Sequence, residues 1–157
     1  MSDFAIALIA ASLSTLGSLL TQMFVSKNSR RQTYDEKRLV ALVEVRQAVE
    51  EAVGRWYAWA NARLGQESPE AYASLQERAS QATHEAWYST RVFEMYFPTL
   101  MKESQSMRDE ISRCKDEANR QVEVGGVFDK AGFSSNQTVD LDEVVAKARK
   151  ILGYPSV

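Results

Sequence analysis

Cysteine and histidine occur once each in 157 residues, as Cys114 and His84. One cysteine rules out a disulfide framework within the chain, and one histidine removes most metal and His-dependent catalytic sites. Helix breakers are also scarce, with three prolines and seven glycines. Neither sign of charge dominates: 19 basic against 21 acidic residues give a net charge of −2, which argues against nucleic acid as a partner. Charge is missing altogether from one long stretch, residues 4–25, while the rest of the chain is strongly polar.

That stretch, FAIALIAASLSTLGSLLTQMFV from Phe4 to Val25, holds 22 residues. As a helix it spans roughly 33 Å, enough for a hydrocarbon core of about 30 Å. Ser12, Ser14, Thr15, Ser18, Thr21 and Gln22 dilute its aliphatic residues, so its hydropathy is moderate. The expectation is an N-terminal single transmembrane helix, with residues 1–26 as the anchor. Two other readings compete. A secretory signal peptide begins with positive charge, whereas Asp3 stands near the start here. A buried helix of a soluble bundle would normally show a charged face, and this segment has none.

A basic juxtamembrane segment, residues 27–38, follows. Lys27, Arg30, Arg31, Lys37 and Arg38 outnumber Asp35 and Glu36. The positive-inside rule then places the N-terminus outside and the C-terminus in the cytoplasm of a single-pass plasma (inner) membrane protein. The same cations either only fix topology or also meet anionic headgroups, at about 1 kcal/mol per side chain. A reducing compartment suits the free thiol of Cys114, and the Asn136-Gln137-Thr138 sequon would stay unmodified there.

Small residues recur along the uncharged segment at spacings of three and four: Ala7, Ala10, Ala11, Ser14, Gly17, Ser18 and Thr21. Small side chains let helix backbones approach closely in lipid, which makes this row a candidate transmembrane association seam. The alternative is that Ala, Ser and Gly are simply common in membrane helices. No ionisable group lies within the span, so a proton or ion relay has no carrier.

Beyond residue 33 the pattern is helical throughout. Leu39, Leu42, Val49, Val53, Trp56, Ala60 and Leu64 mark a first helix from about Thr33 to Gly65. Ser68 as N-cap and Pro69 at the first helical position open a second, to about residue 97. Its apolar row is Tyr72, Leu75, Ala79, Ala82, Ala86, Phe93 and Tyr96, with Ser89 filling one slot. A third, 98–124, carries Leu100, Ser104, Met107, Ile111, Cys114, Ala118 and Val122. The shared period of 3.5 residues points to coiled-coil-like packing of a hairpin or three-helix bundle over residues 39–124. Pro98 either ends a helix in a tight turn or kinks a continuous one. Residues 125–139 read as a Gly- and Ser-rich loop. Residues 140–153 read as a short amphipathic helix capped by Asp140 and Glu143, which docks on the bundle or binds another protein.

Catalytic signatures are absent. His84-Glu85 starts like a zinc-protease HExxH, but position 88 is Tyr and no second histidine exists. Cys114 falls in a helical seam, which favours a buried structural thiol over a nucleophile. Adjacent acids such as Glu50/Glu51, Asp109/Glu110 and Asp116/Glu117 point in different directions on a helix, and pairs such as Asp109–Arg113 or Glu110–Cys114 read as surface texture. No enzyme activity, metal or cofactor is expected. The aromatics are the more telling feature. Trp56, Trp59 and Trp87 are candidate partner-binding residues, since Trp is favoured at interface hot spots; the alternative is that they pack the core of a three-helix bundle. Folding the first two helices about residue 66 sets Trp87 opposite Arg46, which occupies a seam slot of the first helix, a geometry suited to a cation–π contact.

These readings combine into an all-α protein: a membrane anchor followed by a cytoplasmic bundle and a short C-terminal helix. The expected partners are membrane lipid and either a second copy or another protein, with the bundle acting as a scaffold. An alternative of a different class is a small membrane effector whose span oligomerises to form or gate a pore. A soluble helical protein with a buried first helix is the third reading.

Overall fold

With so few helix breakers, the chain is helical over most of its described length. The computed structural model describes residues 2–65, 67–127, 129 and 139–154, with side chains from Thr21 onward. Among them there is no strand. The helices are α1 (Ser2–Leu64), α2 (Pro69–Tyr96), α3 (Met101–Val124) and α4 (Leu141–Ile151), with a 3₁₀ turn at Pro98–Leu100. No helix among the described residues is long and apolar enough to cross a membrane. Most of the uncharged stretch, including Ala7, Ala10, Ala11, Ser14, Gly17 and Ser18, lies outside the residues whose side chains are described.

The chain divides into two units, Met1–Lys37 and Arg38–Val157. In the first, α1 already runs helically from Ser2, so no helix begins near Thr33 as the sequence suggested. The Thr33 hydroxyl shows why: it donates to the Ser29 carbonyl at 3.0 Å, one turn back, and caps nothing. The residues between the uncharged stretch and Thr33 contain neither Gly nor Pro to stop a helix.

In the second unit, α1 from Arg38 to Leu64 runs antiparallel to α2. The Trp56 indole donates to Thr83 Oγ1 at 2.9 Å, and the Arg63 guanidinium lies 4.3 Å above the Tyr72 ring. The buried row of α1 is Leu42, Val45, Val49, Ala52, Trp56 and Trp59. The period is the expected one, rotated by a single residue at alternate slots: Val45 and Ala52 take the places assigned to Arg46 and Val53. Arg46 therefore leaves the seam. It binds Glu50 at 2.9 Å and Asp142 of α4 at 2.9 Å, and its expected contact with Trp87 does not form.

Ser68 caps α2 as expected, accepting from the Ala71 amide at 3.3 Å. At the other end, Pro98 marks a reversal. Phe97 leaves the helix at φ −131°, ψ 63°, consistent with the exclusion of helical geometry before proline. No Gly or Asn assists this turn. It is held instead by burial of Phe97 and Leu100, with the Phe93 and Phe97 rings stacked at 4.8 Å.

Ala79, Ala82 and Ala86 are buried on α2, and Ser104, Met107, Ile111, Cys114 and Ala118 on α3. α4 docks on this bundle: Val144 and Ala148 join the core, and Lys147 reaches Glu103 of α3 at 3.0 Å. Asp140 caps it by accepting from the Asp142 and Glu143 amides at 2.9 and 3.1 Å.

Candidate functional site

The fold separates the three tryptophans that stand out in the sequence. Trp56 and Trp59 are 2% and 5% exposed, and their rings meet edge to face at 5.5 Å. They form the centre of a second core cluster with Ala60, Ala79, Cys114 and Ala118. Both therefore pack in the core, the reading that stood beside partner binding in the sequence: Trp56 keeps its expected seam position and Trp59 turns inward next to it. Trp56 satisfies its indole N–H on Thr83, whereas the Trp59 indole N–H has no hydrogen-bond partner. Trp87, on α2, is 46% exposed, with Tyr88 beside it.

Trp87 stands over the junction of α2 and α3. The two helices are clamped below it by a polar network. The Ser104 hydroxyl donates to the Thr90 carbonyl at 3.0 Å, and Thr90 donates to the Trp87 carbonyl at 2.8 Å. Arg108 reaches Ser104 at 3.0 Å and forms an ion pair with Glu94 at 2.6 Å. Glu94 also holds Arg91 at 3.1 Å. Burial raises the pKa of Glu94, but the guanidinium groups of Arg108 and Arg91 outweigh it, and the net shift is downward.

Small side chains leave the surface hollow on either side of Trp87. Ser80, Thr83 and Ser112 do not fill the space between it, Trp56 and Lys115, and a groove of about 280 Å³ results. A second hollow of about 440 Å³ continues from Trp87 and Ser112 past Tyr88 and Arg91 to Asp109. Trp87 and Ser112 line both, so the two hollows adjoin along the α2–α3 groove. Its polar lining carries both signs of charge, Arg91, Arg108 and Lys115 against Asp109 and Asp116, with Arg108 buried on Glu94. An apolar ridge with a polar rim is the anatomy of a protein-binding surface.

Cys114 is buried beside Glu110, its sulfur 3.5 Å from the carboxylate, and burial pushes its thiol pKa up to about 12. A protonated thiol of that kind is no nucleophile. Glu110 itself departs from the expected surface role. It is 1% exposed and binds Arg113 bidentately, at 2.6 and 3.1 Å, where the sequence had paired Arg113 with Asp109. His84 is exposed at the groove edge. No cluster of three or more His, Cys, Asp or Glu suited to a metal is found among the described residues.

The basic run also divides. Lys27, Arg30, Arg31 and Lys37 are exposed. Arg38 instead braces the end of α2, where its Nε donates to the Tyr96 carbonyl at 3.2 Å and its guanidinium lies 4.8 Å from the Phe97 ring. A cation there offsets the partial negative charge of the α2 C-terminus. Of the small-residue row, Thr21 alone has a described side chain, and it is exposed. Sequence reasoning missed the groove, because its hollow exists only once α2 and α3 are side by side. Compared with protein-family models, curated proteins and solved structures, the chain matches none.

Proposed function

We propose that the chain is a single-pass membrane protein, N-terminus outside, that holds a helical interaction unit at the cytoplasmic face of the plasma (inner) membrane. The anchor concentrates the unit at the bilayer, and the unit assembles there with a protein partner, acting as a scaffold. The observation that carries this reading is the change of composition along α1. Residues 4–25 contain no charge, and Lys27, Arg30, Arg31 and Lys37 follow within 12 residues of its end. A helix without a charged face is suited to an apolar medium around it. The interaction role is supported by the half-exposed Trp87 above a groove of mixed charge.

Protease treatment of sealed vesicles tests both parts of the topology. In right-side-out vesicles residues 38–154 are expected to survive, and in inverted vesicles to be cut. Equal cleavage in both preparations, or recovery of the chain outside the vesicles, contradicts the reading.

A further inference from the structure

The interaction reading leaves the partner open, and the α2–α3 groove narrows it. We infer that the groove is a self-docking surface whose occupant is a second copy of this chain. This inference rests on the interaction role proposed above and names the partner.

Charge is the first argument. A groove selective for an acidic or basic partner would carry one sign, since like charges across an interface cost several kcal/mol. Arg108 in the lining is buried and neutralised by Glu94, so the exposed rim is balanced, and the balance is spatial. Arg91, exposed, stands on α2, and Asp109, also exposed, stands on α3. In an isologous dimer a residue i that meets j is matched by j meeting i. A two-fold axis at the groove lays α2 of each copy on α3 of the other, so Arg91 meets Asp109 twice. Lys115 and Asp116, further along α3, keep that end balanced as well.

Shape is the second. Trp87 is both a ridge and the wall of a hollow, the form of a surface that can enter its own copy. Exposed large apolar side chains gather on the same helix: Tyr88 at 73% and Met95 at 76% accompany Trp87. Such residues are characteristic of interface centres.

The test replaces Trp87 with a photo-crosslinking benzoylphenylalanine in the full chain, in membranes or detergent micelles. A crosslinked species of twice the chain mass, mapping to residues 105–116 of the other copy, is expected. Arg91→Glu or Asp109→Arg, both at exposed positions, should each weaken it by at least roughly tenfold. The double variant, which restores opposite charges, should recover it. Crosslinks to a different protein, no crosslink, or indifference to the charge reversals overturns the inference. A chain that crosslinks as expected but fractionates away from membranes sinks the anchoring reading while leaving this one standing. Helicity of each variant by circular dichroism separates loss of docking from loss of fold.

Discussion

Residues 4–25 and 38–64 are both helical parts of α1, yet they are built on opposite plans. The second alternates buried and exposed positions every three to four residues, from Leu42 to Trp59, and its charges sit on the outer side. The first has no charge on any side. Helix stability in water comes mostly from packing an amphipathic face. Residues 38–64 have that face and companions to cover it. Residues 4–25 lack charged positions, so an apolar medium suits them on every side. On the proposed reading, this contrast lets one chain of ordinary average composition supply both an anchor and a folded unit.

The largest effect that sharpens this contrast is a core truncation. Phe93 is fully buried, and Phe93→Ala should cost about 3–5 kcal/mol of the bundle's stability. Leu13→Ala, in the uncharged stretch, should leave the same melting transition unmoved. Equal effects of the two would erase the distinction between the regions. Next come the paired indoles. Trp56→Phe breaks the bond to Thr83, whereas Trp59→Phe removes a donor that has no partner, so the first should cost about 1 kcal/mol more in urea unfolding.

A smaller change, of opposite sign, is expected at Gly54. It lies within α1 at an exposed position, and a Cβ there would meet nothing within 4 Å. Gly54→Ala should therefore raise stability by about 0.5–1 kcal/mol, read as a higher Tm. Acid gives the smallest and most specific signal. Hydrogen bonds from Arg120 and Gln121 hold the Glu117 carboxyl down at about 2, below its ordinary 4.5. A depressed folded-state value means stability that is present above about pH 4.5 and lost as pH falls towards 2. Glu117→Gln should flatten that part of the unfolding profile. Residues 4–25 contain no titratable side chain and should contribute nothing to it.

Much of the bundle was legible in the sequence. On α3 the seven-residue grid caught even Ser104 and Cys114, because no competing apolar residue stood beside them. On α1 the sequence row ran through Arg46 and Val53, whereas the buried positions are Val45 and Ala52. Arg46 finds its partner far along the chain, in Asp142 of α4, which a row read from α1 alone does not show. On α2, Thr90 took the inner place that Ser89 had seemed to fill, because its carbonyl receives Ser104 across the hairpin. Glu110 reads as a surface acid from its type, and its bidentate bond with Arg113 helps offset the cost of its burial. Among the site residues, Trp87 was legible as an aromatic on a helix. The groove beside it was not, since Ser80, Thr83 and Ser112 signal nothing singly.

The central claim is that residues 4–25 hold the folded unit at a membrane. Its most direct measurement is alkaline carbonate extraction of the full chain, alongside a variant carrying Leu13→Arg and Leu16→Arg. Each arginine near the centre of a span costs about 2.5–3.5 kcal/mol on insertion scales. The expected result is retention of the unaltered chain in the membrane pellet and release of the variant to the supernatant. Recovery of the unaltered full chain in a detergent-free supernatant would contradict the claim.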